Sequence, residues 1–378
     1  MDRLKKTIQS LSFALYDTGE TILSALVFSL AFPLYISNYL DIKIFSLIYG
    51  FTFVISFIFS LYIGKYADER GNRKELFVLF GFLTFLTTAL IFFTYKHYIL
   101  ALIFFLLSAI FHQQAIVFYN SLLLNFKDRG FISGLGVSFG YIGSAITLIY
   151  FAEKISIPQV FLIASIVFLI LALPSFIFLS NPNVKREKIN LKEIFKDKKF
   201  IYVMLSILAL TEVANTIISM MGIYLKFEFD LKQIEIYKIV GYSAIGGIIG
   251  GIFWGLVLKK ISVNKVFPMG FFMWMFVIIS SYFLNKDWLI ALGIIVGFSL
   301  AHLWSTSRVY LLENFPKEEV SVRLSFLSLS ERIATSVGLF AWSGFLFLTN
   351  DYRLSFLLMI IFPLIALFAF LKSKKINS

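Results

Sequence analysis

Asp17, Glu20 and Ser24 stand in the stretch ALYDTGETILSAL at spacings of three and four, one face of a helix, in surroundings otherwise as apolar as lipid. Glu212, Asn215 and Ser219 repeat that spacing in the second part of the chain. A carboxylate at mid-membrane costs about 2.5–3.5 kcal/mol on insertion scales, so it persists where water or a partner compensates it. In a drying cavity such a group is neutralised either by a proton or by a cationic solute, and exchange of one for the other is the physical core of proton-coupled transport. Glu20 and Glu212 are therefore read as proton carriers or as contacts for a solute's amine. Asp17, about a turn and a half into its helix, equally suits the positive helix N-terminus or the interface. His112, followed by Gln113 and Gln114, and His302 each lie midway along an apolar run. Paired histidines suit a proton relay or a polar ligand, whereas each alone suits a bond across helices. Tyr119, two turns beyond His112, is placed on the same pathway. Arg308, in HLWSTSRVYLLENF, either snorkels to the interface or closes a gate against an acid such as Asp17.

The elements that must position these groups follow from composition. Of 378 residues, 59% are hydrophobic and 15% charged, and the mean hydropathy is +0.86, which excludes an ordinary soluble domain. Twelve apolar runs lie near 12–37, 44–63, 75–95, 98–124, 131–152, 159–180, 200–225, 238–258, 266–284, 288–312, 324–348 and 354–371, each long enough to cross a bilayer core. The short connectors leave no room for a soluble catalytic domain. The first run follows MDRLKK but contains Asp17 and Glu20 and no small-residue cleavage pattern, so it reads as a retained span and not a signal peptide.

The net charge of +12 is a matter of topology. Roughly three times as many of the 34 Lys and Arg fall in the termini and alternate connectors that share the N-terminus's side as in the opposite ones, where Lys43, Lys96 and Lys154 are examples. Both termini are thus expected in the cytoplasm, in the cell membrane, and nucleic acid is not an expected partner. The absence of cysteine excludes disulfides, thiolate metal sites and cysteine nucleophiles. No zinc-ligand helix motif, paired catalytic aspartates or serine–base constellation is visible, so neither an enzyme nor a cofactor or metal is expected.

The basic segment NPNVKREKINLKEIFKDKK (181–199) divides the chain at its midpoint, giving six-helix halves at 1–180 and 200–378 joined by a linker expected to form a surface helix. A weak repeat supports the division: SLLLNFKDRG and VYLLENFPKE each follow a mid-span histidine. Gly136 and Gly140, and then Gly247, Gly251 and Gly255, recur at spacings of four, where they let helices approach or slide. The connector GKYADERGNRK presents Gly64, Asp68, Gly71 and Arg73 in a tight turn whose charges can pair locally or cap a neighbouring helix.

That connector resembles the signature between the second and third helices of the major facilitator superfamily, although Glu69 stands where a basic residue is common and the second-half counterpart GLVLKKISVNK lacks the aspartate. The resemblance implies that Asp68 and Arg73 brace the inward-closed state. FALYD with FPLYI, YNSLLLNF with SGLGVSFGYIG, and SRVYLLENFP are similar to the vacuole-effluxer branch, which includes the yeast autophagy-related vacuolar amino-acid exporter. Here Glu20 occupies an expected asparagine position, and Leu339 follows Gly338 in place of a proline. The span-five glycines also resemble the superfamily's antiporter motif, with Tyr141 in place of its proline.

The combined expectation is a twelve-helix, all-α membrane transporter of the major facilitator fold, working by alternating access as a monomer. It would move a small polar or amphipathic solute coupled to protons, with amino-acid export as the branch-level expectation. The alternatives are proton-coupled export of lipophilic cations and, more remotely, a non-transporting receptor or an intramembrane enzyme.

Overall fold

The computed structural model describes residues 2–147 and 156–376, so Lys154 and the end of the expected fifth span lie outside the described residues. Every regular element described is helical. The helices are α1 (Asp2–Leu23), α2 (Phe32–Ile36), α3 (Ile42–Arg70), α4 (Arg73–Thr94), α5 (Tyr98–Ser121), α6 (Arg129–Ile146) and α7 (Gln159–Phe178) before the linker. After it come α8 (Leu191–Lys196), α9 (Lys198–Phe229), α10 (Gln233–Lys260), α11 (Val263–Val266), α12 (Met269–Phe283), α13 (Leu289–Asn314), α14 (Val320–Thr349), α15 (Tyr352–Leu358) and α16 (Ile361–Lys375).

Ten helical stretches among the described residues are long and apolar enough to cross a membrane. The remaining two expected spans coincide with α6, diluted by glycine and serine, and α14, of which Val337–Thr349 is an apolar stretch. The first span is continuous from α1 to α2 through a π-helical segment, Ser24–Ala31. Pro33 accounts for part of this: it has no N–H to return to the preceding turn, so the helix widens just past the Asp17–Glu20–Ser24 face.

The linker departs from expectation. Within it only Leu191–Lys196 forms a helix of its own before α9 begins at Lys198, because Pro182 and the polar partners around it favour an irregular path. The Asn181 side chain accepts from Lys74 N and donates to Glu75, and Ile189 N donates to Glu69 Oε1 at 2.9 Å. These bonds tie the linker to the turn between α3 and α4.

Before the linker, α1 packs on α6 and α7, and α4 on α5 and α7; after it, α10 packs on α13 and α9 on α14 and α16. Two seams join the groups. In one, α6 meets α10: Ser138 Oγ donates to Ile248 O at 2.8 Å, and a Cβ on Gly134 would lie 2.7 Å from Gly255 Cα. In the other, α3 meets α14: Ser60 and Ser325 share a hydrogen bond of 2.7 Å, and Gly64 lies against the Ser321–Val322 backbone. The glycines at these contacts let backbones approach where any side chain would hold them apart.

Candidate functional site

Helices α1, α5, α6, α13 and α14 surround a cavity of about 320 Å³. Its lining contains two carboxylates, Asp17 and Glu20, and one guanidinium, Arg308. Asp17 and Glu20 share the predicted face of α1, one turn apart, and Thr21 beside them also lines the cavity.

Glu20 Oε1 accepts from Ser24 Oγ at 2.8 Å and lies 3.1 Å from His112 Nε2, while Oε2 accepts from Thr21 Oγ1 at 3.3 Å. His112 is buried, its ring 4.9 Å from that of Phe28. The carboxylate keeps some exposure, 20% of its side chain, to the cavity. A proton or an ammonium arriving there meets a carboxylate whose orientation is already held by two hydroxyls and an imidazole.

Arg308 lines the cavity from α13. It reaches across to three helices of the other group: Nε donates to Ser133 Oγ at 2.6 Å, Nη2 to Ser133 O at 2.7 Å and to Asp17 Oδ2 at 3.4 Å, and Nη1 to Asn120 Oδ1 at 3.0 Å. A charge taken out of water stays only where such bonds replace hydration, and Arg308 is 7% exposed. Tyr119 supports the arrangement: its hydroxyl donates to Phe13 O at 2.8 Å and its ring stacks on Phe13, over which Arg308 sits. Of the two readings open for Arg308, the structure has the acid-paired one. Gly136 makes room for this cluster, since a Cβ there would collide with Asp17 Oδ2; Gly140 plays the same part for Thr21.

The signature turn forms a second buried assembly. Asp68 is 2% exposed and pairs with Arg73 at 2.8 Å. Its carboxylate also accepts from Ser321 N at 2.9 Å and Val322 N at 3.2 Å, free amides in the first turn of α14. Asp68 thus does for α14 what an N-cap side chain does, from a distant helix. Arg73 Nη2 donates to Lys317 O at 2.9 Å, just before α14. Gly71 ends α3 with φ +72°, where glycine is favoured.

The other expected residues are placed elsewhere. Glu212 is buried, with Oε2 accepting from Gly338 N on α14 at 2.6 Å, and it lines no part of the central cavity. Thr216 lies beside that contact, for a Cβ on Gly338 would meet its hydroxyl, and Ser219 is exposed. His302 is buried, with Nε2 2.9 Å from Val266 O and its ring edge-on to Trp254 at 4.7 Å. Gly247 accommodates the Tyr141 ring, whereas Gly251 and Gly255 pack on α6. The sequence reading passed over Asn120, Trp304 and Ser307 in the cavity, Ser133 behind it as a partner of Arg308, and Arg323, whose buried guanidinium bonds Asp197 and Glu319. Ser133 and Asn120 sit in the very segments SGLGVSFG and YNSLLLNF, but nothing in their spacing points to Arg308.

A bundle of membrane-length helices around a polar cavity, with buried charged groups bonded between two helix groups, has the form of a membrane carrier. The sequence matches the Major Facilitator Superfamily over residues 10–263 and 213–377, and the chain belongs to that family. It is 58% identical to an uncharacterised protein of Aquifex aeolicus (strain VF5) over 98% of both chains. It is 24% identical to the uncharacterised MFS-type transporter YxiO of Bacillus subtilis (strain 168), over 88% of this chain and 87% of that one. Among solved structures it is similar to a bacterial homologue of the iron transporter ferroportin in an outward-facing state, with a TM-score of 0.78, 17% identity and coverage of 98% and 99%.

Proposed function

We propose that this protein is a secondary transporter working by alternating access, which exchanges protons for a small polar or amphipathic solute bearing an amine. Residues 1–180 and 200–378 are its two halves, 181–199 the linker, and a single chain is the working unit. The observation that carries this reading is Glu20, held by His112, Ser24 and Thr21 yet open to a cavity whose floor is Arg308 bonded across to Asn120, Ser133 and Asp17. With both termini cytoplasmic, the sealed end faces the cytoplasm, and Asp68 with Arg73 braces it. Glu212 is a second proton carrier that acts when α9 and α14 part.

Amino-acid export, as in the vacuole-effluxer branch, is the first substrate reading. Export of organic cations is the second, and the cavity's charge favours it: two carboxylates face one guanidinium already committed to protein partners.

The test uses proteoliposomes with a trapped pH dye, an imposed pH gradient and a panel of amino acids and organic cations. A solute that collapses the gradient in wild type but not in Glu20→Gln supports the proposal, and competition between a cationic dye and amino acids separates the two substrate readings. Solute movement that is equal in both proteins and carries no protons sinks Glu20 as the coupling site.

A further inference from the structure

A second chamber of about 280 Å³ adjoins the polar cavity, and the two share a wall made by Tyr141 and Ser144 of α6. Apart from Ser144 and Ser243 its other lining is apolar: Met221 from α9, Ile239 from α10, and Leu292, Val296 and Leu300 from α13 are among the groups. Tyr141 stands between the chambers with its ring pressed onto Gly247. An apolar cavity of about 150 Å³ is enough to hold a benzene, so this chamber has room for a ring with substituents or an alkyl chain of several carbons.

We propose that the polar cavity and this chamber form one two-part site, which takes a monocationic amphiphile: its ammonium at Glu20, its hydrocarbon tail past Tyr141 among Met221, Leu292 and Val296. The charge of the first chamber and the apolar lining of the second select opposite ends of the same molecule. Neither free amino acids with short side chains nor neutral sugars would use both parts. Ser144 and Tyr141, polar groups at the junction, sit where the head passes into the tail. This inference rests on the proposed role of Glu20 and adds to it the shape of the solute.

Transfer of each methylene from water to such a chamber strengthens binding roughly fourfold. The full chain in lipid nanodiscs is titrated calorimetrically with butyl-, hexyl- and octylammonium, with the matching alcohols as controls for partition into lipid. Affinity that rises with chain length in wild type by about two orders of magnitude from butyl to octyl, beyond the alcohols, supports the two-part site. So does flattening of that rise to under about tenfold in Val296→Phe, which fills the chamber, with butylammonium binding kept. If Val296→Phe loses butylammonium as well, Met221→Phe on the opposite wall decides by the same criterion. A chain-length slope equal to that of the alcohols, or one left intact by both fillings, overturns the tail site while the carboxylate site stands. No binding of any ammonium, with Glu20→Gln indistinguishable from wild type, overturns the carboxylate site itself and the tail site with it.

Discussion

Asp17 and Gly136 are coupled by volume. The Asp17 carboxylate occupies the space in which a side chain at 136 would begin, and from there it reaches Arg308. Gly136→Ala should push Asp17 out of the cluster, at about the 1–3 kcal/mol of an overpacked core. The expected result is a lower melting temperature and a loss of solute flux. Gly50→Ala and Gly344→Ala, at helical positions with nothing within 4 Å of a new Cβ, should keep flux and, by helix propensity, hold or slightly raise the melting temperature. A fall of equal size at all three positions would show that the Asp17 contact does not decide the outcome. The Asp17–Glu20 face was legible in the sequence because it needs only the helical period, and Asp17 was already named as a partner for Arg308. Which histidine serves the carboxylate was not legible. His112 and His302 hold matching places in their spans, but His112 turns toward Glu20 and His302 toward the backbone of α11, a difference of helix rotation and neighbour that no local pattern encodes. The partner of Glu212 was not legible either: the amide of Gly338 lies 126 residues away.

The turn between α3 and α4 reads in the sequence as a tight glycine turn whose charges pair locally or cap a neighbouring helix, and all of this is present, though the sequence does not say which helix is capped. Its long-range part is the element-scale lesson. Asp68 caps α14, and Arg73 holds the carbonyls that lead into it, so the start of α14 is fastened to α3 by charge-assisted bonds. In Asp68→Asn the neutral amide keeps one acceptor, but Arg73 remains a buried cation without its counter-charge. Removing one partner of a buried pair costs about 3–5 kcal/mol, more than closure of a two-state carrier can absorb without a shift in population. A reporter cysteine at Ser325, introduced into this cysteine-free chain, should then react faster with a membrane-impermeant maleimide applied from the linker side. Asp68→Glu, which restores the charge with a longer arm, should recover part of the protection. Unchanged labelling in Asp68→Asn would place closure of this end in the α6–α10 seam and the Arg308 cluster alone.

At the scale of the whole molecule, the two helix groups meet along α3 and α14 through several contacts among the described residues. Along α3 and α14 the recorded contacts run through Phe57 with Phe326, Ser60 with Ser325, Gly64 with Ser321, and Asp68 with Ser321 and Val322, all toward the linker end. Farther along, Gly50 and Gly344 have open space beside them, and Phe340 and Phe347 are among the most exposed aromatic side chains described. A carrier closed at the linker end, as proposed, would hold the contacts seen along α3 and α14, and this makes the proposed motion testable. If the two helix groups alternate as proposed, the Ser60–Ser325 contact, which joins them near the linker end, must part in every cycle. Cysteines at 60 and 325, placed where the two hydroxyls now lie 2.7 Å apart, should oxidise to a disulfide without competition from native thiols. The oxidised protein should lose flux almost completely and regain it on reduction, while ammonium binding from the far side of the membrane persists, since the cavity lies beyond the cross-link. Flux that survives quantitative cross-linking would mean that the helix groups do not part at this seam, and the proposed alternation would have to be abandoned in favour of a fixed path through the bundle.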